Sequence, residues 1–116
     1  EIAPAESHGF YSYDAKYVDA DGAKIIVPAQ LPAEVEKRLK ELAAQAFRAT
    51  GCDAMARVDF FVTDDFGIRL NELNTIPGFT NISMYPKAMA SSGIDYPTLI
   101  DRLVAHGLAR AGRQIG

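Results

Sequence analysis

The chain has 116 residues, of which 48% are hydrophobic and 23% charged, a globular composition that excludes a disordered or fibrous protein. Twelve basic against 15 acidic residues leave a net charge of −3, so general nucleic-acid binding, which needs a basic excess, finds no support. No apolar run reaches the roughly 20 residues of a membrane span, and the single cysteine, Cys52, excludes an internal disulfide and fits a reducing, cytoplasmic setting.

The chain opens on Glu1 without a signal-peptide pattern, which leads us to expect a segment of a longer polypeptide. Residues 1–30 read as loop and strand. Aromatic residues crowd Phe10-Tyr11-Ser12-Tyr13-Asp14-Ala15-Lys16-Tyr17, Asp19-Ala20-Asp21-Gly22 is a turn signal, and Lys24-Ile25-Ile26-Val27 is β-rich until Pro28 stops it. Residues 31–116 carry the rest. A helix is predicted from about Pro32 to Thr50, with Val35, Leu39, Leu42, Ala43, Ala46 and Phe47 on one stripe and Gly51 as its C-cap. A strand over 54–63, a turn at Asp64-Asp65-Phe66-Gly67 and a strand over 68–74 read as a hairpin. Residues 75–86 form a loop, a short helix runs from about Tyr85 to Ser92, and a last helix from about Pro97 to Ala111. Leu99, Ile100, Leu103, Val104 and Leu108 form the apolar face of that last helix, and Gly112 ends it. Helices against an antiparallel sheet define an α+β domain.

The hairpin concentrates unusual chemistry. Strand residues two apart share a face, so Ala56, Val58, Phe60 and Val62 read as core while Arg57 and Asp59 lie together on the other side. Glu72 and Asn74 also share a face. If the two polar faces coincide, Arg57, Asp59, Glu72 and Asn74 converge. Two carboxylates and a carboxamide are hard oxygen donors suited to Mg²⁺ or Mn²⁺ and not to Zn²⁺, with nucleotide phosphates completing the shell. Arg57 would then stabilise developing negative charge. The competing reading is a solvated sheet face with cross-strand charge pairs. In the following loop, Gly78 permits a close approach or an unusual φ. Ser83 either holds a carboxylate together with nearby backbone N–H groups or caps the next helix.

Three strings lie along this stretch: Arg57-Val58-Asp59-Phe60-Phe61, Asn71-Glu72-Leu73-Asn74-Thr75-Ile76-Pro77-Gly78-Phe79-Thr80 and Ser83-Met84-Tyr85-Pro86. Together they closely resemble the C-terminal part of the D-alanine–D-alanine ligases, members of the ATP-grasp superfamily. The resemblance runs from about Phe10 to Leu108. It implies the C-terminal half of an ATP-grasp domain, with the N-terminal domain and the first ATP-grasp half lying elsewhere in the polypeptide. It also implies a cytoplasmic enzyme of peptidoglycan precursor synthesis. ATP would phosphorylate one D-alanine, and the amine of a second would attack the acyl phosphate. By position, Asp59, Glu72 and Asn74 resemble ligands of two Mg²⁺ (or Mn²⁺) ions, with Glu72 and Asn74 also facing the nucleotide. Arg57 and the Gly78 N–H resemble oxyanion donors, and Ser83 with the Met84 N–H resembles a clamp for the second substrate's carboxylate. Tyr11, Tyr13, Lys16 and Tyr17 resemble a mobile loop in which Lys16 reaches the transferred phosphate and Tyr17 helps close the site and favours an amine nucleophile. Ser12 stands where the family often has an acidic residue. The segment alone should be inactive, and family members often dimerise through a region outside it.

Other residues are set aside. His8 and His106 lack ligand partners at metal-binding spacing, so His106 is expected at the surface or partly in the core. Cys52 reads as a packed thiol, Arg102, Arg110 and Arg113 as a basic helix end, and Phe60, Phe61 and Phe66 as core and turn packing. Two alternatives accompany the ligase reading. One is another ATP-grasp carboxylate–amine or D-alanine–D-lactate ligase, and the other a metal-nucleotide module without catalysis.

Overall fold

The computed structural model describes residues 1–4 and 23–112, which places Tyr11, Tyr13, Lys16, Tyr17, His8 and Arg113 outside the described residues. The chain divides into two units, 1–30 and 31–116. In the first, β1 (Ile2–Pro4) pairs antiparallel with β2 (Ala23–Ile25), Ile2 opposite Ile25. The Ile26 N–H extends the pairing to the Glu1 carbonyl at 2.9 Å. Thus β2 ends two residues before the end of the β-rich run, just ahead of the cis Val27–Pro28 bond.

The second unit begins with helix α1 (Ala33–Ala49). Pro32 sits at its N-cap, and Glu34 and Glu36 lie in the first turn, where the positive end of the helix favours them. The expected stripe Val35, Leu39, Leu42, Ala43, Ala46 and Phe47 is the less exposed side of α1, which lies against the hairpin. At its end, Gly51 adopts φ +70°, its N–H reaches the Arg48 carbonyl at 3.1 Å, and the Cys52 N–H reaches the Phe47 carbonyl at 3.0 Å. That is the paired 5→2 and 6→1 bonding of a Schellman motif.

The hairpin follows as β3 (Arg57–Val62) and β4 (Ile68–Asn74), antiparallel. Its turn closes through Thr63 and Gly67: the Thr63 N–H donates to the Gly67 carbonyl at 2.9 Å and the Phe66 N–H to the Thr63 carbonyl at 2.8 Å. The left-handed residue is Phe66, at φ +64°, rather than the neighbouring glycine. Gly67 is needed for space instead, since a Cβ there would lie 2.8 Å from Thr63 Oγ1.

Helices α2 (Met84–Ser91) and α3 (Tyr96–Ala111) complete the α+β unit and pack on each other. Helix α2 ends as α1 does, with Gly93 at φ +93°, its N–H on Ala90 and the Ile94 N–H on Met89. Asp95 caps α3 by accepting from the Thr98 N–H at 2.9 Å. Among the described residues only Pro77, Pro86 and Leu99 are buried. The expected apolar face of α3 is therefore covered in part. Leu99 is 3% exposed and Leu103 half-buried, whereas Val104 is 55% and Leu108 56% exposed. No helix among the described residues is long and apolar enough to cross a membrane.

The loop after α1 is tied to α3 by a cluster the spacing rules did not reveal. His106 Nε2 lies 2.8 Å from Asp53 Oδ1, and the Arg110 guanidinium donates to Asp53 Oδ2. His106 is thus partnered, 53 residues away in sequence, instead of standing alone. Arg110 complements a carboxylate as well as the end of its helix. The His106 hydrogen bond first, and then the Arg110 charge, hold the Asp53 carboxyl below its ordinary value of 3.8. A depressed carboxyl stabilises the fold above its unfolded value and loses that contribution as pH falls through the folded value. Asp53→Asn should therefore lower the urea midpoint near neutral pH, with the difference from wild type persisting to about pH 4 and fading only as the pH falls further, through the folded value. At the other end of α1's connection, Gly51→Ala should cost about 1 kcal/mol in the same experiment, and Gly51→Asn less, because only the backbone conformation is penalised. Equal losses from the two would contradict this.

Candidate active site

The strand register decides where the polar groups go. Arg57 pairs with Asn74, Val58 with Leu73 and Asp59 with Glu72, so the two polar faces coincide. Beyond Asp59 the register shifts, and Phe60 pairs with Leu70, Phe61 with Arg69 and Val62 with Ile68. Asn71 is the extra residue, a β-bulge. It resets the alternation of β4, so that Leu73 on one side of it and Leu70 and Ile68 on the other all face the way Val58, Phe60 and Val62 do.

On the polar face, Arg57 bridges both carboxylates. Its Nε lies 2.8 Å from Asp59 Oδ1 and its Nη2 2.9 Å from Asp59 Oδ2, a bidentate pair, while Nη2 lies 3.5 Å from Glu72 Oε1. Arg57 and Asp59 are only 21% and 25% exposed, so their charges are largely withdrawn from water. Glu72, by contrast, is half exposed, and its contact with Arg57 is the cross-strand charge pair of the competing reading. Asn74 Oδ1 accepts from the Ile76 N–H at 3.1 Å, which turns the chain out of β4 into the loop.

That loop brings Gly78 against Ser83. A Cβ at position 78 would stand 3.1 Å from Ser83 Oγ, so the glycine serves close approach, and it has no positive φ. Ser83 occupies the N-cap position of α2, yet its side chain makes no capping bond. Its Oγ accepts instead from the Thr80 N–H at 3.0 Å and lies 2.8 Å from Thr80 Oγ1. The loop is fastened to the helices by aromatic residues. The Tyr96 hydroxyl donates to the Phe79 carbonyl at 2.9 Å, and the Phe79 ring lies 5.6 Å from that of Tyr96 and 6.1 Å from that of Tyr85. Burial raises the Tyr85 hydroxyl above its ordinary value of 10.0.

The structure therefore gathers Arg57, Asp59, Glu72 and Asn74 on one sheet face and sets Gly78 against Ser83 beside Met84 at the start of α2. Lys16 and Tyr17 lie outside the described residues. Sequence reasoning missed Thr80 and Tyr96. Of the two, only Thr80, three residues before Ser83 at a helix start, left a local signal. As a metal centre the hairpin offers two carboxylates and a carboxamide. Among the described residues no group of three or more His, Cys, Asp and Glu side chains is arranged to hold an ion. That donor set fits a hard cation that keeps water or phosphate in the rest of its shell.

The sequence and fold have clear relatives. The family model described as D-ala D-ala ligase C-terminus matches residues 1–105, and the chain belongs to that family. It is 69% identical over 110 residues to D-alanine–D-alanine ligase A of Brucella melitensis, covering 95% of this chain but 31% of the relative, so it spans about a third of that protein's length. Its fold is similar to that of the D-Ala:D-Ser ligase VanG of Enterococcus faecalis, with a TM-score of 0.73 and 41% identity over 90% of this chain and 29% of that one. It is also similar to a D-alanine–D-alanine ligase of Bacillus anthracis crystallised with ATP, with a TM-score of 0.69 and 31% identity over 85% of this chain and 33% of that one. The ATP-grasp, α+β architecture read from the sequence is that of these neighbours.

Asp59 and Glu72 face each other across the ladder with Arg57 as their common counter-charge. Arg57→Met should cost the chain about 2 kcal/mol in urea unfolding, between the values for exposed and buried pairs, since like charges are left opposed. Adding Asp59→Asn should restore part of the loss, and a double variant as unstable as the sum of both singles would contradict the pairing.

Proposed function

We propose that the polypeptide containing this chain is an ATP-dependent ligase that joins two D-alanines, releasing ADP and phosphate, in the cytoplasmic synthesis of peptidoglycan precursors. The observation that carries the proposal is the convergence of Arg57, Asp59, Glu72 and Asn74 on one face of a bulged hairpin, with the Gly78–Ser83 loop leaving the same strand. The names of the relatives agree with this reading.

The chemistry follows from charge. A carboxylate oxygen attacks the terminal phosphate of ATP, and an amine then attacks the acyl phosphate through a tetrahedral oxyanion that expels phosphate. Each step moves negative charge between oxygens, so fixed donors govern the barrier. Asp59, Glu72 and Asn74 would hold two Mg²⁺ or Mn²⁺ ions. Bound there, such ions neutralise the nucleotide phosphates and polarise the transferred group. The Arg57 guanidinium, which Asp59 holds by two hydrogen bonds, donates with the Gly78 N–H to the oxyanion. Ser83 Oγ and the Met84 N–H hold the carboxylate of the attacking D-alanine. Lys16 reaches the transferred phosphate, and Tyr17 closes the site and favours an amine, keeping water from the acyl phosphate. The groups for adenine and for the first D-alanine are supplied by the remainder of the polypeptide.

A second reading differs only in the nucleophile, and the 41% identity to a D-Ala:D-Ser ligase is what favours keeping it. The full-length source enzyme should release ADP with D-alanine in a Mg²⁺-dependent manner, and Asp59→Asn or Glu72→Gln should each cut kcat/KM about a hundredfold or more. L-alanine, D-serine and D-lactate are tested beside it. Turnover with D-serine or D-lactate alone moves the assignment to that ligase, and ATP binding without turnover on any of the four contradicts the enzyme reading.

A further inference from the structure

We propose that Thr80 is a positioning residue that turns the Ser83 hydroxyl into a dedicated hydrogen-bond donor for the carboxylate of the attacking substrate. This rests on the ligase reading, in which Ser83 meets that carboxylate, and adds to it the group that sets the Ser83 proton.

A serine hydroxyl has one proton and two lone pairs, and in isolation it rotates freely to donate or accept. An anion offers only acceptors, so a hydroxyl must present its proton to bind one. In this loop, the Thr80 N–H donates to Ser83 Oγ at 3.0 Å and fills one lone pair. Thr80 Oγ1 stands 2.8 Å from the same oxygen, in hydrogen-bond distance with either hydroxyl as donor. When the Thr80 hydroxyl donates, both lone pairs of Ser83 Oγ are filled, and its own proton is directed away from Thr80. An arriving carboxylate selects this arrangement, because the reverse one spends the Ser83 proton on Thr80. One residue thus acts through both its backbone and its side chain.

The surroundings keep Ser83 available for this. As the N-cap residue of α2 its side chain makes no capping bond, so the helix does not compete for the hydroxyl. The Ser83 N–H returns to the Thr80 carbonyl at 3.0 Å, which locks the four-residue turn between them. Gly78 lies close enough that a Cβ there would stand 3.1 Å from Ser83 Oγ. The glycine thus leaves the room that Ser83 Oγ occupies, which any larger side chain at position 78 would crowd.

The test uses steady-state kinetics of the full-length source enzyme with D-alanine, with Thr80→Val, Thr80→Ser, Ser83→Ala and Thr80→Val/Ser83→Ala. Thr80→Val is nearly isosteric and keeps the backbone donor. It should raise KM for the amine-supplying D-alanine by roughly 3- to 10-fold, the range for one hydrogen bond, with kcat and KM for ATP within about twofold. Thr80→Ser should return that KM to near wild type. Ser83→Ala should raise it at least as much, and the double variant should be no worse than Ser83→Ala, since Thr80 acts only through Ser83. A rise with Ser83→Ala but none with Thr80→Val overturns the role of Thr80 and leaves the ligase reading standing. Additive losses in the double variant, or a fall in kcat and thermal stability with KM unchanged, also overturn it. An unchanged KM with Ser83→Ala overturns the carboxylate clamp itself.

Discussion

One extra residue in β4 sets which side chains share the polar face of the hairpin. Asn71 has no counterpart on β3, and the register therefore shifts between Asp59 and Phe60. Strand side chains alternate, so a slip of one residue would turn Glu72 and Asn74 away from Arg57 and Asp59 and carry Leu73 to the polar side. The bulge lets both halves of β4 satisfy their own demands. Leu70 and Ile68 follow the apolar face near the turn, and Glu72 and Asn74 follow the polar face near the loop. The convergence then creates an electrostatic demand of its own. Two carboxylates opposed on a ladder repel, and Arg57 offsets that repulsion from a position only 21% exposed.

The remainder of the second unit holds the loop that leaves this strand. The Asn74 side chain turns the backbone through the Ile76 N–H, and Phe79 is fixed by the Tyr96 hydroxyl and by two neighbouring rings. Helix α2 begins at once, stops after eight residues at a Schellman glycine, and gives way to α3 under an aspartate cap. Tyr96 stands at the start of α3, so the cap that starts the helix also places the ring that holds the loop. The two helices thus position the loop that carries Gly78 and Ser83.

Much of this was legible in the sequence, for identifiable reasons. The stripe on α1 and the alternation in β3 are strong periodic signals; α1 formed where expected, whereas β3 begins at Arg57, three residues after the expected start, because Ala54 takes a left-handed φ of 67° and leaves Ala56 outside the strand. The coincidence of the polar faces was conditional on register, and register is not visible in a single strand. A trace of it was present: Ile68 and Leu70 alternate but Leu73 falls out of phase, which only an inserted residue reconciles with one apolar face. The partnership of Asp53 with His106 and Arg110 had no such trace, because a contact across 53 residues depends on how α3 returns past the end of α1. The exposure of Val104 and Leu108 was equally illegible, since periodicity marks an apolar face without saying what covers it.

In the proposed reading, the bulged hairpin would hold the two metal ions of a metal–nucleotide complex through Asp59, Glu72 and Asn74. Electron paramagnetic resonance of Mn²⁺ bound to the full-length source enzyme with ADP tests this most directly, because it counts bound ions without relying on turnover. The wild type should bind two nucleotide-dependent ions, and both Asp59→Asn and Glu72→Gln should bind fewer or weaker ones at unchanged stability. Wild-type stoichiometry and affinity in both variants would contradict it and place the metal elsewhere in the polypeptide.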